Sequence, residues 1–301
     1  NESPDVGFDA SINPYRGCEH GCVYCYARPT HEYLGFSAGL DFETRIIVKQ
    51  DAAELLEREL AAPAWRPQVL GVSGVTDPYQ PVERRLGITR ACLEVLARCR
   101  NPVALVTKNA LVGRDADLLA ELARHDAVVV WISLTTLDTD LARRLEPRCS
   151  APSARLATMS RLAEQGIPVG ALVAPVMPAL NDHEIPALLA AAAEAGATYC
   201  RWILLRLPGA VAEIFPAWLD EHYPERKEKV LARIRDLRSG RLNDSRFGTR
   251  GRGEGVFARQ IRDLFMAAAR RHGLAVRGPE LSTAAFRRPG GDQMDLFADG
   301  R

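Results

Sequence analysis

The sequence lacks several features that mark membrane, fibrous or repeat proteins. No apolar stretch runs uncharged for the roughly 18 residues that a membrane-spanning helix needs, and the longest, over residues 167–180, contains glycine and proline. No basic and apolar leader opens the chain, and no internal repeat stands out. Apolar residues make up 47% and charged residues 26% of the 301 residues, which excludes wholesale disorder and collagen-like structure. We therefore expect a cytoplasmic protein with a sizeable core and no membrane partner.

Cysteine is too sparse for a disulfide framework, and its total of seven is odd. In a long cytosolic chain such a number favours metal or radical chemistry, because the cytosol keeps thiols reduced. Cys92 and Cys99 fall seven residues apart on one predicted helix, and Cys200 lies in a predicted strand. These three are expected in the core, so the other four are the candidates for chemistry.

Strands and helices alternate along the first two thirds of the chain. Parallel strands that are buried on both faces give continuous apolar runs, such as residues 128–132 (VVVWI). The predicted strands cover residues 10–13, 69–75, 102–107, 127–135, 168–175 and 198–205. About six strand–helix units are too few for a closed eight-stranded barrel, so we predict an α/β fold with a partial (β/α)6 TIM-like barrel. A doubly wound open sheet has the same local pattern and remains the alternative.

Helices alone follow residue 208. The predicted helices over residues 218–237 and 256–272 flank a segment rich in glycine and arginine, residues 239–255. From Glu225 to Arg277 there are fifteen Lys and Arg against six Asp and Glu, so this stretch carries +9 in a chain of net charge +1. The sequence therefore predicts a core over residues 1–208, a basic helical extension over 209–286 and a flexible tail over 287–301.

Three closely spaced cysteines form the most specific motif. Cys18, Cys22 and Cys25 lie in residues 15–26 (YRGCEHGCVYCY), with gaps of three and two residues. Iron–sulfur clusters are held by thiolates, and a loop this short places three of them on one side of a cluster, which leaves one iron without a cysteine. Structural zinc is the alternative, but zinc takes four protein ligands, and the next cysteine, Cys92, lies in a predicted helix.

The C-x3-C-x2-C spacing, with Tyr24 before its last cysteine, resembles that of the radical SAM superfamily. Within that superfamily the chain is similar to the DNA-repair-photolyase-like group that includes spore photoproduct lyase. The similar segments are residues 11–18 (SINPYRGC), 76–83 (TDPYQPVE), 106–109 (VTKN) and 132–135 (ISLT). The resemblance spans about residues 8–208. Each segment lies at the carboxyl end of a predicted strand, where barrel enzymes place their sites, so we expect the segments to meet in space.

This resemblance implies a [4Fe–4S] cluster and S-adenosylmethionine (SAM), which together generate a 5′-deoxyadenosyl radical that abstracts hydrogen from a substrate. It also implies an electron donor such as a flavodoxin or a ferredoxin. By the same comparison, Lys108 pairs with the carboxylate of SAM, and Ser133 contacts its methionyl or ribose part. Thr76 and Asp77 line the amino-group side of SAM, and Tyr24 lies close to its adenine.

One position departs from the spore photoproduct lyase pattern. That enzyme has a cysteine just before the corresponding loop, which supplies a hydrogen atom to the product radical, whereas residues 73–76 of this chain read SGVT. Cys149, in the loop over residues 146–150 (EPRCS), is the best-placed spare thiol, although a bystander role is the alternative. Tyr26 and Tyr79 are rival donors, and with Asp77 these residues form the candidate catalytic set.

Further polar residues are candidate substrate contacts. Asn109, Asn181 and Arg206 follow predicted strands, but Asn181 also precedes a predicted helix, so helix capping is its alternative role. In the basic extension, arginines among glycine and serine suit a phosphate backbone, and a solvated helix face is the alternative. The extension residues concerned are Arg241, Arg246 and Arg250.

The end of the chain carries one short motif, QMDLF, from Gln293 to Phe297. It resembles the peptide by which bacterial DNA-repair and replication proteins dock on the sliding clamp. Its Leu-Phe pair would fill an apolar groove, while Gln and Asp fix the register. Packing of that pair on the body of the protein is the alternative.

The sequence as a whole predicts a radical SAM enzyme, similar to a repair lyase, that abstracts hydrogen from DNA. A base inside a duplex would have to be flipped out or presented on a single strand. One alternative keeps the chemistry but changes the substrate to RNA, a peptide or a small molecule. The other is a non-catalytic iron–sulfur module that associates with DNA or the clamp.

Overall fold

The centre of the computed structural model, which describes residues 5, 7–72 and 74–290, is a six-stranded parallel sheet. The strands of the described residues are β1 (Ala10–Ile12), β2 (Tyr15–Arg16), β3 (Ile47–Val48), β4 (Leu70–Val72), β5 (Val103–Thr107), β6 (Val128–Ser133), β7 (Val169–Val176) and β8 (Tyr199–Leu204). The sheet order is β1-β4-β5-β6-β7-β8, whereas β2 and β3 form a separate antiparallel pair. All six predicted strands are confirmed, with ends that shift by a few residues.

Helices connect the strands of the sheet, as the predicted alternation requires. The described residues form α1 (Leu40–Thr44), α2 (Ala52–Ala61), α3 (Glu83–Leu86), α4 (Ile88–Cys99), α5 (Ala116–Ala123), α6 (Thr139–Leu145), α7 (Pro152–Glu164), α8 (Ile185–Glu194), α9 (Val211–His222), α10 (Pro224–Asp236) and α11 (Gly255–Arg271). Short 3₁₀ helices cover Arg28–Leu34, Ala110–Asp115 and Asp182–Glu184. β6 is buried along its whole length, as expected for a strand covered on both faces.

The sheet is open but curved. β1 and β8 are its two edges and do not pair with each other. Gly7, just before β1, nevertheless lies beside β8, because a Cβ atom on Gly7 would be 3.9 Å from a guanidinium nitrogen of Arg201. The curvature therefore brings the two edges near each other, as in the predicted partial barrel. We call the gap between β1 and β8 the seam, and the segment before β1 lies there.

The helical extension packs directly on this core. α11 lies against α8 and buries Ile261, Phe265 and Ala269 in the main hydrophobic cluster. The chain then pairs Ala275 with Tyr199 of β8 in a parallel bridge. The extension therefore covers the outer side of β8, next to the seam.

The prediction of one continuous helix over residues 218–237 is wrong. The structure has two helices there, because Tyr223 leaves the helical region (φ −146°, ψ 53°) and Pro224 begins α10. Proline lacks an N–H group and restricts the backbone of the residue before it, so α9 ends at this point.

The predicted flexible tail begins with residues that contact the body of the protein. The Arg287 N–H donates to the Cys99 carbonyl at 2.7 Å, and the Arg288 guanidinium donates to the Leu60 carbonyl at 3.2 Å and the Trp65 carbonyl at 3.1 Å. The motif from Gln293 to Phe297 lies outside the described residues.

Crossing a membrane takes a helix that is both long and apolar, and the part of the chain that the structure describes contains none of that kind.

Candidate active site

Three thiols approach one another in the loop between β2 and the first 3₁₀ helix. Cys18 and Cys22 are buried, and Cys25 is half-buried. Burial, the Asp77 carboxylate and the two neighbouring thiols raise the pKa of Cys18, while burial and Cys22 raise the pKa of Cys25 to about 11. Cys22 and Cys25 therefore lie close enough to Cys18 to affect its ionisation, and the three cysteines of the motif are brought together.

The donor set fits a cluster better than a single ion. In the described ranges, no three His, Cys, Asp or Glu side chains converge closely enough to hold one metal ion. The thiolates of a [4Fe–4S] cluster each bind a different iron, so they do not need to converge on one point. Cys18, Cys22 and Cys25 are accordingly suited to hold one iron each.

Two glycines and one buried arginine shape the cysteine loop. Gly17 has φ +80°, and a Cβ atom there would lie 3.0 Å from the Phe42 carbonyl oxygen, so no larger residue fits. Gly21 also takes a positive φ, of +67°. Below the loop, Arg28 donates from Nε to the Cys22 carbonyl at 3.0 Å and from Nη2 to the Gly21 carbonyl at 3.2 Å. The sequence analysis did not single out Arg28.

Asp77 links the cysteine loop to the ends of β4 and β5. Its carboxylate accepts hydrogen bonds from the Thr107 hydroxyl and from the Lys108 N–H, both at 2.7 Å. His20, between the first two cysteines, places Nδ1 3.5 Å from the same carboxylate. Because these groups occupy both oxygens, Asp77 positions Lys108 and the loop. The predicted strand-end segments thus meet in space.

His20 is a site residue that the sequence analysis missed. Its ring is buried, and its Nε2 lies 3.1 Å from the Asn109 side-chain amide nitrogen. Burial lowers the pKa of His20, although Asp77 acts in the opposite direction, so the imidazole is neutral at neutral pH. Asn109, a predicted substrate contact, also caps the following 3₁₀ helix by accepting from the Leu111 N–H. The only sequence signal for His20 is its position inside the cysteine motif.

Lys108 points its ammonium group toward β7 and the cysteine loop. Its Nζ donates to the Ala174 carbonyl at 3.2 Å and lies 3.7 Å from a carboxylate oxygen of Glu146. The same Nζ lies 5.8 Å from the centre of the Tyr24 ring, which is within the range of a cation–π contact. Lys108 and Tyr24, both predicted SAM contacts, are therefore neighbours.

A buried carboxylate, Glu146, organises this corner of the site. One oxygen accepts from the Tyr24 hydroxyl and, at 2.6 Å, from the Thr135 hydroxyl, and the other accepts from the Arg155 guanidinium. Burial alone would raise the pKa of Glu146, but Arg155 and Lys108 outweigh it and lower this pKa to about 2. Glu146 is therefore ionised, and one carboxylate faces two cations.

Cys149 lies beside the cysteine loop. Its Sγ is 3.7 Å from the Cys22 Sγ, although 127 residues separate them in the chain. It borders a cavity of about 300 Å³ that is also lined by Asn109, Arg148 and Ser150. The spare thiol of the sequence analysis is thus adjacent to a predicted cluster ligand.

Thr76 and Ser133 are both buried near these groups. The Thr76 hydroxyl donates to the Tyr15 carbonyl at 3.2 Å, which ties the end of β4 to the start of the cysteine loop. The Ser133 carbonyl accepts from the Arg155 guanidinium at 3.0 Å. Both residues lie at the carboxyl ends of their strands, on the side that carries Lys108.

Two predicted site residues are buried and make hydrogen bonds within the protein. Tyr79 is fully buried, and its hydroxyl donates to Asp115 at 3.0 Å. Asn181 is also buried: its amide donates to the Thr135 carbonyl at 2.7 Å and its oxygen accepts from the Met177 N–H at 2.6 Å. Asn181 therefore joins the ends of β6 and β7, and its side chain does not cap the following helix.

Tyr26 and several arginines lie at the outer side of the site. Tyr26 is 49% exposed, and the Arg206 guanidinium lies 5.3 Å from the centre of its ring. Arg250 forms an ion pair with Asp5. Arg246, another predicted substrate contact, forms ion pairs with Asp244 and Glu254, both at 2.9 Å. Arg241, the last of these contacts, is exposed.

Comparison with known proteins agrees with this geometry. The family model of the Radical SAM superfamily matches residues 12–192. An uncharacterized protein of Mycobacterium tuberculosis is 39% identical over 232 residues, which are 76% of this chain and 67% of that protein.

Solved structures share the fold. A double mutant of spore photoproduct lyase with bound AdoMet and dinucleoside spore photoproduct has a TM-score of 0.64 at 17% identity, over 91% of this chain and 78% of that one. Streptococcus suis SuiB bound to S-adenosylmethionine has a TM-score of 0.55 at 12% identity, over 93% of this chain and 52% of that one.

Replacing Glu146 by Gln is expected to destabilise the protein by about 3 kcal/mol at neutral pH, because Arg155 and Lys108 then lack the carboxylate that balances them. The folded-state pKa of about 2 lies below the ordinary value of 4.5. The carboxylate therefore stabilises the fold above that ordinary value, and the contribution is lost as the pH falls toward 2. Urea unfolding, followed by circular dichroism across this range, measures both effects.

Glu57→Gln is the matched control, because Glu57 forms an exposed ion pair with Arg98 and its loss is expected to change stability little. The assignment of Glu146 as the balancing charge fails if Glu146→Gln is no more damaging than Glu57→Gln. It fails equally if the Glu146→Gln variant keeps the full acid-dependent loss of stability.

Proposed function

Because the chain belongs to the radical SAM superfamily, we propose that it is an enzyme that abstracts hydrogen from DNA. The cofactors of this family are a [4Fe–4S] cluster and SAM. When bound, they supply a 5′-deoxyadenosyl radical through reductive cleavage of SAM. Cys18, Cys22 and Cys25 are the residues that hold the cluster, and a flavodoxin or ferredoxin is the kind of partner that would deliver the electron.

The charge balance beside the cysteine loop supports a role for this chain in binding SAM. Arg155 already pairs with Glu146 in a fully buried contact, so the Lys108 ammonium 3.7 Å away retains positive charge for a further anion. An incoming carboxylate, such as that of SAM, satisfies this charge. The ammonium is held by the Ala174 carbonyl, which accepts from it at 3.2 Å, and by the Tyr24 ring, whose centre lies 5.8 Å away.

Cys149 is proposed as the donor of a hydrogen atom to the product radical. Its S–H bond would break as the new C–H bond forms, which leaves a thiyl radical. One electron from the electron donor and one proton from water would restore the thiol. The proximity of Cys149 to Cys22, at 3.7 Å between sulfurs, supports this role over that of the enclosed Tyr79. Tyr26 remains the rival donor because it is exposed at the outer side of the same site.

The choice of DNA rests on the arginines around Tyr26. Guanidinium groups suit phosphate, and an exposed ring beside them suits a base that has been flipped out or presented on a single strand. Spore photoproduct lyase, which shares the fold, binds a dinucleoside photoproduct in its solved complex. We extend that substrate class to this chain as a proposal.

The proposal is tested with deuterium-labelled substrate. The reduced protein is incubated without oxygen with SAM and uniformly deuterated DNA, either untreated or irradiated with ultraviolet light, and 5′-deoxyadenosine is analysed by mass spectrometry. We expect deuterium in this product with at least one of the DNA samples, because the radical takes its hydrogen from substrate. Labelled RNA and labelled peptide are run in parallel.

Two cysteine variants control this experiment. Cys22→Ala is expected to lose bound iron and all 5′-deoxyadenosine formation, whereas Cys99→Ala, in the core at the end of α4, is expected to keep both. Transfer of deuterium from RNA or peptide, and from neither DNA sample, would refute the DNA proposal. Iron binding without any cleavage of SAM would instead favour a non-catalytic module.

Docking on the bacterial sliding clamp through residues 293–297 is a separate proposal, which rests on the QMDLF motif. Deletion of these residues is expected to abolish binding to the immobilised clamp while SAM cleavage stays unchanged, because the motif lies outside the cysteine loop and strand ends. A scrambled five-residue tail is the control. Equal clamp binding by the intact and deleted chains contradicts the proposal.

A further inference from the structure

Five residues form a cationic and aromatic surface at the seam of the curved sheet, which we call the mouth patch: Asp5, Tyr26, Arg206, Phe247 and Arg250. A guanidinium group lies over each of the two exposed aromatic rings. Arg206 lies 5.3 Å from the centre of the Tyr26 ring, and Arg250 lies 4.4 Å from the centre of the Phe247 ring. The two side chains are 49% and 55% exposed, so about half of each is accessible to a ligand.

Hydrogen bonds join the two segments that carry the mouth patch, which are the end of β8 and the loop of the helical extension. The Leu204 N–H donates to the Gly251 carbonyl at 2.9 Å, which joins the end of β8 to the extension loop. Arg238, which is 97% buried, donates to the Leu205 carbonyl and, at 3.0 Å, to the Arg250 carbonyl. Arg206 and Arg250 are therefore held side by side by the backbone.

The carboxylate of Asp5 occupies an anion site in the mouth patch. One oxygen accepts from the Gly248 N–H at 2.7 Å, and the other accepts from the Arg250 Nε. Burial alone would raise the pKa of Asp5, but the Gly248 N–H, Arg250 and Arg206 together lower it. A backbone N–H group and one guanidinium bind the two oxygens, with the charge of Arg206 nearby, and this arrangement also suits a phosphate.

The site has donors that Asp5 does not satisfy. Arg206 Nε and Arg238 Nη1 are buried and have no hydrogen-bond partner. Burial, and then the positive charge of Arg250, lower the pKa of Arg206, so an additional anion would relieve the repulsion between these guanidiniums. The mouth patch therefore sets two guanidinium groups against one carboxylate, which leaves positive charge for a bound anion.

We propose that the mouth patch binds a phosphodiester of a single-stranded nucleic acid, with the phosphate replacing the Asp5 carboxylate between Arg250, Arg206 and the Gly248 N–H. The flanking bases stack on Tyr26 and Phe247. This inference rests on the proposed action on DNA and specifies how the strand is held. Asp5 acts as an internal competitor, which is displaced when substrate binds.

A nucleic acid explains the patch better than an acidic peptide does. A peptide carboxylate would repeat the contacts that Asp5 already makes and would leave both exposed rings unused. Stacking of bases on aromatic side chains is a general feature of proteins that bind single strands, and arginine adds to it through its planar group. An acidic peptide therefore serves as the competing ligand in the test.

The test measures binding of a fluorescein-labelled single-stranded octadeoxynucleotide to the full-length protein by fluorescence anisotropy over a range of salt concentrations. Asp5→Asn keeps the shape of the side chain and removes the competing charge, so affinity is expected to rise severalfold. Arg250→Ala is expected to weaken binding about tenfold and to reduce the slope of log affinity against log salt by about one. Phe247→Leu is expected to weaken binding at least about fivefold, with the salt slope unchanged.

Arg262→Ala is the matched control, because Arg262 is an exposed α11 arginine that pairs with its neighbour Asp263, and no change is expected. Arg250→Lys keeps the charge without the paired N–H groups and is expected to fall between the native protein and Arg250→Ala. Circular dichroism of each variant verifies that the fold is retained.

The inference is overturned if Asp5→Asn weakens oligonucleotide binding as much as Arg250→Ala does, because the ion pair between Asp5 and Arg250 would then only stabilise the loop. It is also overturned if an octaglutamate peptide binds equally well and responds to the same substitutions. Failure of the two proposals can be told apart. If deuterium is transferred from DNA but Asp5→Asn and Arg250→Ala leave the affinity for the oligonucleotide unchanged, only the mouth-patch proposal is refuted. If the protein binds no oligonucleotide at any salt concentration, both the mouth-patch proposal and the DNA proposal are refuted.

Discussion

The loop from Cys18 to Cys25 must hold three thiols at fixed positions without regular secondary structure, and the rest of the site depends on how it does so. Its tight turns require glycine at Gly17 and Gly21, both at positive φ. The buried Arg28 guanidinium collects carbonyl oxygens that would otherwise be unsatisfied below the loop. A loop fixed by backbone contacts leaves its cysteine side chains available for metal.

The carboxyl ends of the parallel strands supply the polar groups around this loop. Asp77 connects β4 to β5, and Glu146 with Arg155 forms a buried ion pair next to Lys108. A buried pair of this kind gives little net stability, because desolvation opposes the attraction. We propose that Arg155, by pairing with this carboxylate, leaves the Lys108 ammonium as the charge that a ligand matches.

Short-range sequence patterns predicted the features that depend on residues close together in the chain. The six strands follow from continuous apolar runs, and the approach of Cys18, Cys22 and Cys25 to one another follows from their spacing, since both patterns are short-range. Glu146 and Arg28 escaped prediction because their partners come together only through the fold, and nothing nearby in sequence distinguishes them from surface charges. The partners of Asn181 could not be predicted for the same reason: a turn asparagine looks alike whether it faces a ligand or joins two strands, and the contact with Thr135 forms only in the fold.

The central claim is that three thiolates bind a [4Fe–4S] cluster and leave one iron open to SAM. Electron paramagnetic resonance of the anaerobically reduced protein, recorded with and without SAM, tests this most directly. We expect the signal of a reduced [4Fe–4S] cluster whose line positions shift when SAM is added, because SAM becomes a ligand of the open iron. An identical spectrum in both samples, from a cluster confirmed to contain four irons, would contradict it.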